Sequence, residues 1–574
     1  MRSGRLILAA CASAVGACAL SVVVNAADGT IADAVMAGDR AAVVALIKQG
    51  ADVNAAQGDG VTALHWAARR GDAELTDTLI VAGGNVRATS RFGRYTPLHL
   101  AAERGSAAVI ARLLKAGAPT DVRTNTGTTP LMMAAAAGDL DAISALIDGG
   151  ADVNATETER EHTPLIFAAA SNRLDAVKLL IARGADPNAA TKVVDLAALS
   201  RNGANPDGRN LAAAAPDPRR QASPAPAAAA PAPRVRMPGM DRQYLINEQV
   251  HAHGGMTPLL YAARQGYADV AMALLDAGVD VNQRKGGDNA TALLAAAVNG
   301  QFDLAGLLLD RGADPNLVAE NGVGPLYAAI NVQWAPRAGY PQPRAHLNQK
   351  LSYVEFMKRL LDKGADPNAR VNKKVWWSNY NFDQSGVDEV GSTAFWRAAY
   401  GADVEVMKLL VAYGADPHIS TARPPERPET GDVGRRETRD ISGLPPIPTG
   451  GPGVPPLLAA AGVGYGEGFA GNSHRFAPSG MLAAVQYLVE VVGANVNARD
   501  HEGNTALHHA ASRGDTEMIQ YLVSKGADVT TINREGQTTV DMANGAVQRV
   551  QPWPETIALL EKLGAKNNHK CLSC

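Results

Sequence analysis

Apolar and polar positions alternate along the chain in short helical runs that recur. One run, TALHWAARRGD, starts at Thr62, and TPLHLAAERGS starts at Thr96. TPLMMAAAAGD follows from Thr129, TPLIFAAASNR from Thr163, TPLLYAARQGY from Thr257, TALLAAAVNGQ from Thr291, TAFWRAAYGAD from Thr393 and TALHHAASRGD from Thr505. Where nothing intervenes, the spacing is 33 or 34 residues. The head Thr offers a hydroxyl to the free N–H groups of a helix start, and a following Pro suits the first helical turn. Leu and the Ala pair turn one face toward neighbours. Gly105, Gly138 and their equivalents end the helix, because glycine enters the left-handed conformation at little cost. A second stretch, such as AAVIARLLKAG from Ala107 to Gly117, spaces apolar residues by 3, 4 and 7 and predicts a second helix. Turn-forming phrases follow it: GADVN at Gly50 and Gly150, GADPN at Gly184, Gly312 and Gly364, GADPH at Gly414 and GANVN at Gly493.

The predicted unit is therefore helix, tight turn, helix, extended turn, written about twelve times. These phrases closely resemble the ankyrin repeat, over most of residues 28 to 566. The resemblance implies an all-α solenoid of paired antiparallel helices with β-hairpin-like loops projecting from them. The first unit, from Asp28, and the last, from Thr538, depart from the pattern, as capping units do. In that family the histidine of the TPLH phrase ties neighbouring repeats, which gives His65, His99 and His508 a scaffold role. The same slot holds Met132, Ile166, Leu260, Leu294 or Trp396 elsewhere, and a slot that accepts apolar residues is structural.

Repeats are expected over 28–192 (about five) and 256–566 (about seven), separated by the Ala/Pro-rich stretch 193–255. Its composition suits a linker that packs no core. Either the stack continues beneath it or the chain splits into two arms. Four further insertions interrupt the second block, at 332–352, 370–392, 418–453 and 462–480. The third is rich in Pro and charge and reads as a mobile loop. Five of the six tryptophans come after Val323. Trp334, Trp376, Trp377 and the nearby Tyr380 lie in insertions, where aromatic rings either anchor a partner or fold back over the edge of the stack. Variable loop-tip residues Arg91, Phe92, Arg94 and Tyr95 are the other partner-binding candidates.

Composition adds limits. Net charge is −3 across 574 residues, so no basic face points to nucleic acid. Residues 1–26 pair Arg2 and Arg5 with an apolar run and small residues at Val24-Asn25-Ala26, which resembles a bacterial secretory signal. Export to the periplasm or the medium is the expectation. A membrane anchor and a lipoprotein carrying lipid on Cys18 are the other readings of the leader. No later stretch is long and apolar enough to span a bilayer. Cysteines occur only in the leader and in the tail 567–574, so no disulfide holds the body. Cys571 and Cys574 form a local disulfide or stay as thiols, join another molecule or a metal, or are the remnant of a c-type haem site. In the last case the sequence lacks the histidine that should follow the second cysteine.

Sequence patterns for phosphate loops, serine-nucleophile elbows and zinc helices are missing, and no metal spacing occurs in the body. The Asp residues of the GAD phrases serve turns. The expected protein is thus a monomeric, non-enzymatic, exported scaffold with protein partners and no cofactor. It binds through the concave face and hairpins of its stack. Two alternatives remain: a small-molecule or glycan binder using the Trp/Tyr loops, and a redox or haem-linked accessory protein working through the tail.

Overall fold

A computed structural model describes residues 30–195, 252–284, 286–335, 344–373, 375, 387–425, 440–464, 475–545 and 551–570. The chain forms two compact units, Met1–Pro119 and Thr120–Cys574. Among the described residues, the first holds three helix pairs: Ile31–Ala37 with Arg40–Lys48, Ala63–Arg70 with Ala73–Val81, and Pro97–Arg104 with Ala107–Lys115. These are repeats 1–3. The second holds nine, repeats 4–12, from Pro130–Ala137 with Leu140–Asp148 to Thr539–Ala543 with Pro554–Lys562. The all-α repeat architecture expected from the sequence is therefore present. A two-residue antiparallel strand pair, Val194–Asp195 against Ala252–His253, accompanies the helices.

The first helix of each repeat forms for the reasons its sequence suggests. In repeat 3, Thr96 Oγ1 accepts from the backbone N–H of His99, Pro97 opens the helix, and Gly105 closes it at φ 72°. Ala101 and Ala102 are fully buried, and their small size lets consecutive first helices pack closely. The second helix supplies the bulk. Val109, Ile110 and Leu113 are fully buried, and each large aliphatic contributes about 2 kcal/mol by leaving water.

Two polar devices fasten repeat to repeat. The first is the histidine. His65 Nδ1 accepts from the backbone N–H of Thr62 at 3.1 Å and pairs with Thr62 Oγ1 at 2.8 Å, while Nε2 lies 2.9 Å from the carbonyl of Tyr95 in the next repeat. His508 repeats this with Thr505 and the carbonyl of Gln537. An Nδ1 that accepts a backbone N–H leaves Nε2 as the donor, so the ring is neutral. The second device is the asparagine that ends the GADxN phrase. Asn154 Nδ2 donates to Gly184 O at 3.0 Å and its Oδ1 accepts from Asp186 N at 2.8 Å. Asn54, Asn282, Asn316, Asn368 and Asn497 bridge to the next repeat in the same way.

The repeats on either side of the Ala/Pro-rich stretch are direct neighbours. Pro164–Ala170 packs on Pro258–Gln265, and Leu174–Ala182 packs on Ala268–Asp276. Thr191 N donates to Met256 O at 3.1 Å and Gly255 N to Thr191 O at 3.0 Å, which closes the hairpin base beneath the insertion. The stack is continuous there rather than split into arms. The insertion in repeat 8 folds back through Asp303, whose carboxylate accepts from Lys350 N at 3.0 Å and Leu351 N at 2.8 Å. Part of the 418–453 insertion, expected to be mobile, is seated on the repeats instead: Ile441 N donates to Arg534 O at 3.2 Å and Arg534 Nη2 to Pro445 O at 2.6 Å.

Burial, with His509 beside it, pushes the His508 pKa down to about 4. The unfolded chain takes up that proton near pH 6.5. The folded chain takes it up only near pH 4, so acid favours unfolding within this window. The His508 contribution is complete above about pH 7 and is lost progressively toward pH 4, amounting to about 2 kcal/mol at pH 5. His508→Met, which copies the residue repeat 4 carries in this slot, will flatten that dependence. Urea midpoints at pH 7 and pH 5 for both proteins measure it.

Candidate partner-binding surface

The loop tip expected to contact a partner divides into bracing and outward-facing residues. Ser90 Oγ accepts from Tyr95 N at 3.0 Å and donates to Phe92 O at 2.7 Å, which closes the turn. Arg91 reaches back to the preceding hairpin, with its N–H 2.8 Å from Asp59 O and Nη1 3.0 Å from Gly58 O. The Tyr95 ring lies against Gly93, where a Cβ would collide with it, and meets His99 edge-on at 6.1 Å. Arg91 and Tyr95 therefore hold the loop in shape. Phe92 is 77% exposed, and Arg94, left-handed at φ 56°, is exposed beside it. Phe92 and Arg94 face solvent without the backbone contacts that hold the likewise exposed Arg91.

Trp334 is not a surface anchor. It is 8% exposed, and its Nε1 donates to Asp403 Oδ2 at 2.8 Å. Tyr353 OH donates to the same oxygen at 2.8 Å and its ring meets Trp334 edge-on. Burial and that carboxylate push the Tyr353 hydroxyl far above its usual range. Arg397 Nη2 donates to Trp334 O at 2.9 Å and Nε to Asn331 Oδ1 at 2.7 Å. An indole with a buried carboxylate for its N–H gains more from the interior than from water, so this tryptophan folds back into the stack. Trp376, Trp377 and Tyr380, like Cys18, Cys571 and Cys574, lie outside the described residues.

A more extended surface comes from positions that the sequence reading passed over. The residue after the histidine slot faces outward from several of the first helices in each unit. It is half-exposed Trp66 and Leu100 in the first unit, and half-exposed Met133, Phe167 and Tyr261 in the second. Farther along the second unit the position is closed: Ala328, Arg397, Ala459 and His509 are all buried. Arg397 is sealed by the start of the repeat 8 insertion, and His509 pairs with Asp500 at 3.2 Å. Within the second unit the position is thus half-exposed in repeats 4–6 and buried in repeats 8–11.

Polar partners hold the open rings rigidly. Trp66 Nε1 donates to Gln57 Oε1 at 2.7 Å, and Arg69 lies over the Trp66 ring at 5.7 Å. Beside it, Arg69, Arg70, Leu100, Glu103 and Arg104 line a depression of about 390 Å³. In the second unit His162 stands between Phe167 and Tyr261, at 5.7 and 5.9 Å between ring centroids. Its Nε2 is 2.8 Å from Tyr261 OH and its Nδ1 is 2.9 Å from Glu157 Oε1. Burial opposes the charge on Glu157, but the N–H of Glu159 and the His162 ring hold its carboxyl below the usual range. Burial raises the Tyr261 hydroxyl, the reverse of what an activated nucleophile needs. The acid–imidazole–hydroxyl chain fixes a ring orientation.

A second depression, of about 720 Å³, lies between repeats 10 and 12 and is lined by Phe476, Gln486, Arg513, Asp515, Glu517 and Trp553 among others. Trp553 Nε1 donates to Ser512 O at 3.0 Å and its ring lies on Gly514. No group of three or more His, Cys, Asp or Glu side chains able to hold a metal occurs among the described residues. No described helix is long and apolar enough to cross a membrane.

Comparison with known proteins agrees with this architecture. A family model for ankyrin repeats in three copies matches residues 31–124, 108–191 and 242–319. A second, for many copies, matches 473–523, and a single-repeat model matches 390–422. Together these cover more than half of the chain. Alpha-latrocrustotoxin-Lt1a of Latrodectus tredecimguttatus is 27% identical over 195 residues, 34% of this chain and 9% of that protein. Putative ankyrin repeat protein L92 of Acanthamoeba polyphaga mimivirus is 44% identical over 57 residues, 10% of this chain and 14% of that protein. Protein phosphatase 1 regulatory subunit 12A of Rattus norvegicus is 33% identical over 95 residues, 17% of this chain and 8% of that protein. In each case the match spans a small fraction of the relative's own length.

The opposite placements of two aromatic candidates separate in a melting experiment. Trp334→Phe deprives Asp403 of a buried donor and will cost about 1–3 kcal/mol. Phe92→Ala removes an exposed ring and will change stability by less than about 0.5 kcal/mol. Chemical denaturation of the two variants at pH 7 checks both.

Proposed function

Since the chain belongs to the ankyrin-repeat family, we propose that it is an exported, non-enzymatic scaffold that binds a protein partner through outward positions of its first helices and the adjoining hairpin tips, each unit taken by itself. The observation that carries this reading is the half-exposed outward position of the first helix, held by Trp66 and Leu100 in the first unit and by Met133, Phe167 and Tyr261 in the second. Rings already fixed by Gln57, His162 and Glu157 lose little freedom on binding, which is how a prearranged aromatic surface gains affinity. One relative, named as a regulatory subunit of a protein phosphatase, is an example of such repeats in a protein named for its relation to another. Export rests on the leader at residues 1–26.

A second reading is favoured by the groove between repeats 10 and 12. Two aromatic rings with Gln486, Glu517 and Arg513 around them suit a small polar ligand such as a glycan. Saturating ligand would then quench the tryptophan emission and raise the melting temperature. Partner binding through the first helices leaves the groove unoccupied.

Crosslinking in intact cells, followed by capture of the chain from the exported fraction, will recover a protein partner. Phe92→Ala and Leu100→Ala, each on an outward-facing side chain, will weaken that complex by about tenfold or more if they are central to it. Recovery of no partner, or capture unaffected by either variant, would count against these positions. The first residue of the exported chain will be Ala27, read by N-terminal sequencing; an intact leader on the cell-associated protein would remove the case for export.

A further inference from the structure

The insertion 418–453 leaves the repeat 9–10 hairpin on arms closed by Thr421 N to Val454 O at 3.1 Å and Gly453 N to Thr421 O at 2.7 Å. Its segment Asp440–Pro445 then lies across the tips of the next two hairpins. Arg534, on the last of these, organises the contact. Its Nε donates to His501 O at 2.9 Å, which fixes the guanidinium on the neighbouring hairpin. Nη1 pairs with Asp440 Oδ2 at 2.5 Å, and Nη2 donates to Pro445 O at 2.6 Å. The backbone joins as well, through Ile441 N to Arg534 O at 3.2 Å. Two glycines provide flat seats. A Cβ on Gly536 would collide with Ile441, and one on Gly503 would stand 3.1 Å from Leu444 Cδ1.

We propose that these two hairpin tips, centred on Arg534, form a peptide-binding site, and that Asp440–Pro445 occupies it in cis as a displaceable stand-in for a partner segment. The segment it fits is extended, with an acidic residue, a branched aliphatic one directly after it, and a second aliphatic followed by proline three positions on. Three features point to recognition of a motif rather than to a permanent strut. The contact joins side-chain selection by a fixed Arg fork to main-chain pairing, the combination by which peptide-binding surfaces read extended chains. The segment carries its own shape: Asp440 Oδ1 accepts from Ser442 N at 2.9 Å and Ser442 Oγ at 2.6 Å, and Ser442 Oγ accepts from Leu444 N at 3.1 Å. These bonds are all within the segment, so they do not depend on the rest of the chain for their partners. The segment is also shallowly held, with Asp440, Ile441, Gly443 and Pro445 exposed and only Ser442 and Leu444 half-buried. Its occupancy depends on tethering, which supplies a high local concentration without deep burial.

A fluorescent peptide spanning Asp440–Pro448 tests this by anisotropy with the full-length chain. Wild-type protein, whose site is filled, will bind it weakly. D440K places a cation against Arg534, releases the segment and will bind the peptide at least tenfold more tightly. R534A in the D440K background will abolish the gain. Hydrogen exchange over residues 440–447 will rise in D440K, while its melting temperature stays close to wild type because Asp440 is an exposed loop residue. Equal peptide binding by wild type and D440K, retained binding in the double variant, or unchanged exchange protection in D440K would each overturn the proposal. None of these readouts depends on the outward positions of the first helices or on their partner.

Discussion

A pair of helices five to ten residues long cannot bury both of its faces, and this governs the rest of the structure. Ala101, Ala102, Ile110 and Leu113 have no interior of their own; they gain one when the next copy leans on them. Within each unit the core is therefore built by nearest-neighbour contacts, and stability accumulates copy by copy. Polar groups follow the same logic. A histidine or asparagine that bonds only within its own repeat would be a cap. Bonded to the carbonyl of Tyr95 or Gly184, it becomes a seam. The neutral imidazole needed for that seam also makes it sensitive to acid.

Insertions act on this scheme from outside. Where nothing folds back over them, the outward positions of the first helices stay half-exposed, as at Phe167 and Tyr261. Longer turns bring material back over the same positions, as Asn331 and Trp334 do over Arg397. One repeat design thus produces accessible and sealed stretches without altering the helices. Hairpin insertions work differently: the one after repeat 9 crosses its neighbours and fastens to Arg534.

Much of this was legible in the sequence because local chemistry dictates it. Thr, Pro and Gly at fixed offsets mark helix starts and ends by hydrogen-bonding need and backbone freedom, and the helices begin and end there. Contacts made between copies were harder to read. The asparagine of GADxN looks like a turn residue, and its bridge to Gly184 exists only once the next repeat is in place. Trp334 looked like a loop aromatic because Asp403, its partner, is 69 positions away. The outward positions were hidden by variety: Trp, Leu, Met, Phe and Tyr share a place in the repeat but no chemistry that a motif would register. The signal was the offset from the histidine slot, which sequence reading used for the slot and not for its neighbour.

The antiparallel pairing of Val194 with His253, closed by Thr191 and Met256, bears on how long the joining chain can be. It forms a socket whose two rims stay in place whatever sequence joins them. Lengthening a flexible connection between fixed ends costs only about 0.6 kcal/mol per doubling. The packing of the repeats on either side therefore places little demand on the length of what joins them. The hairpin base is thus a place where a longer connection can leave the stack without parting the repeats that flank it.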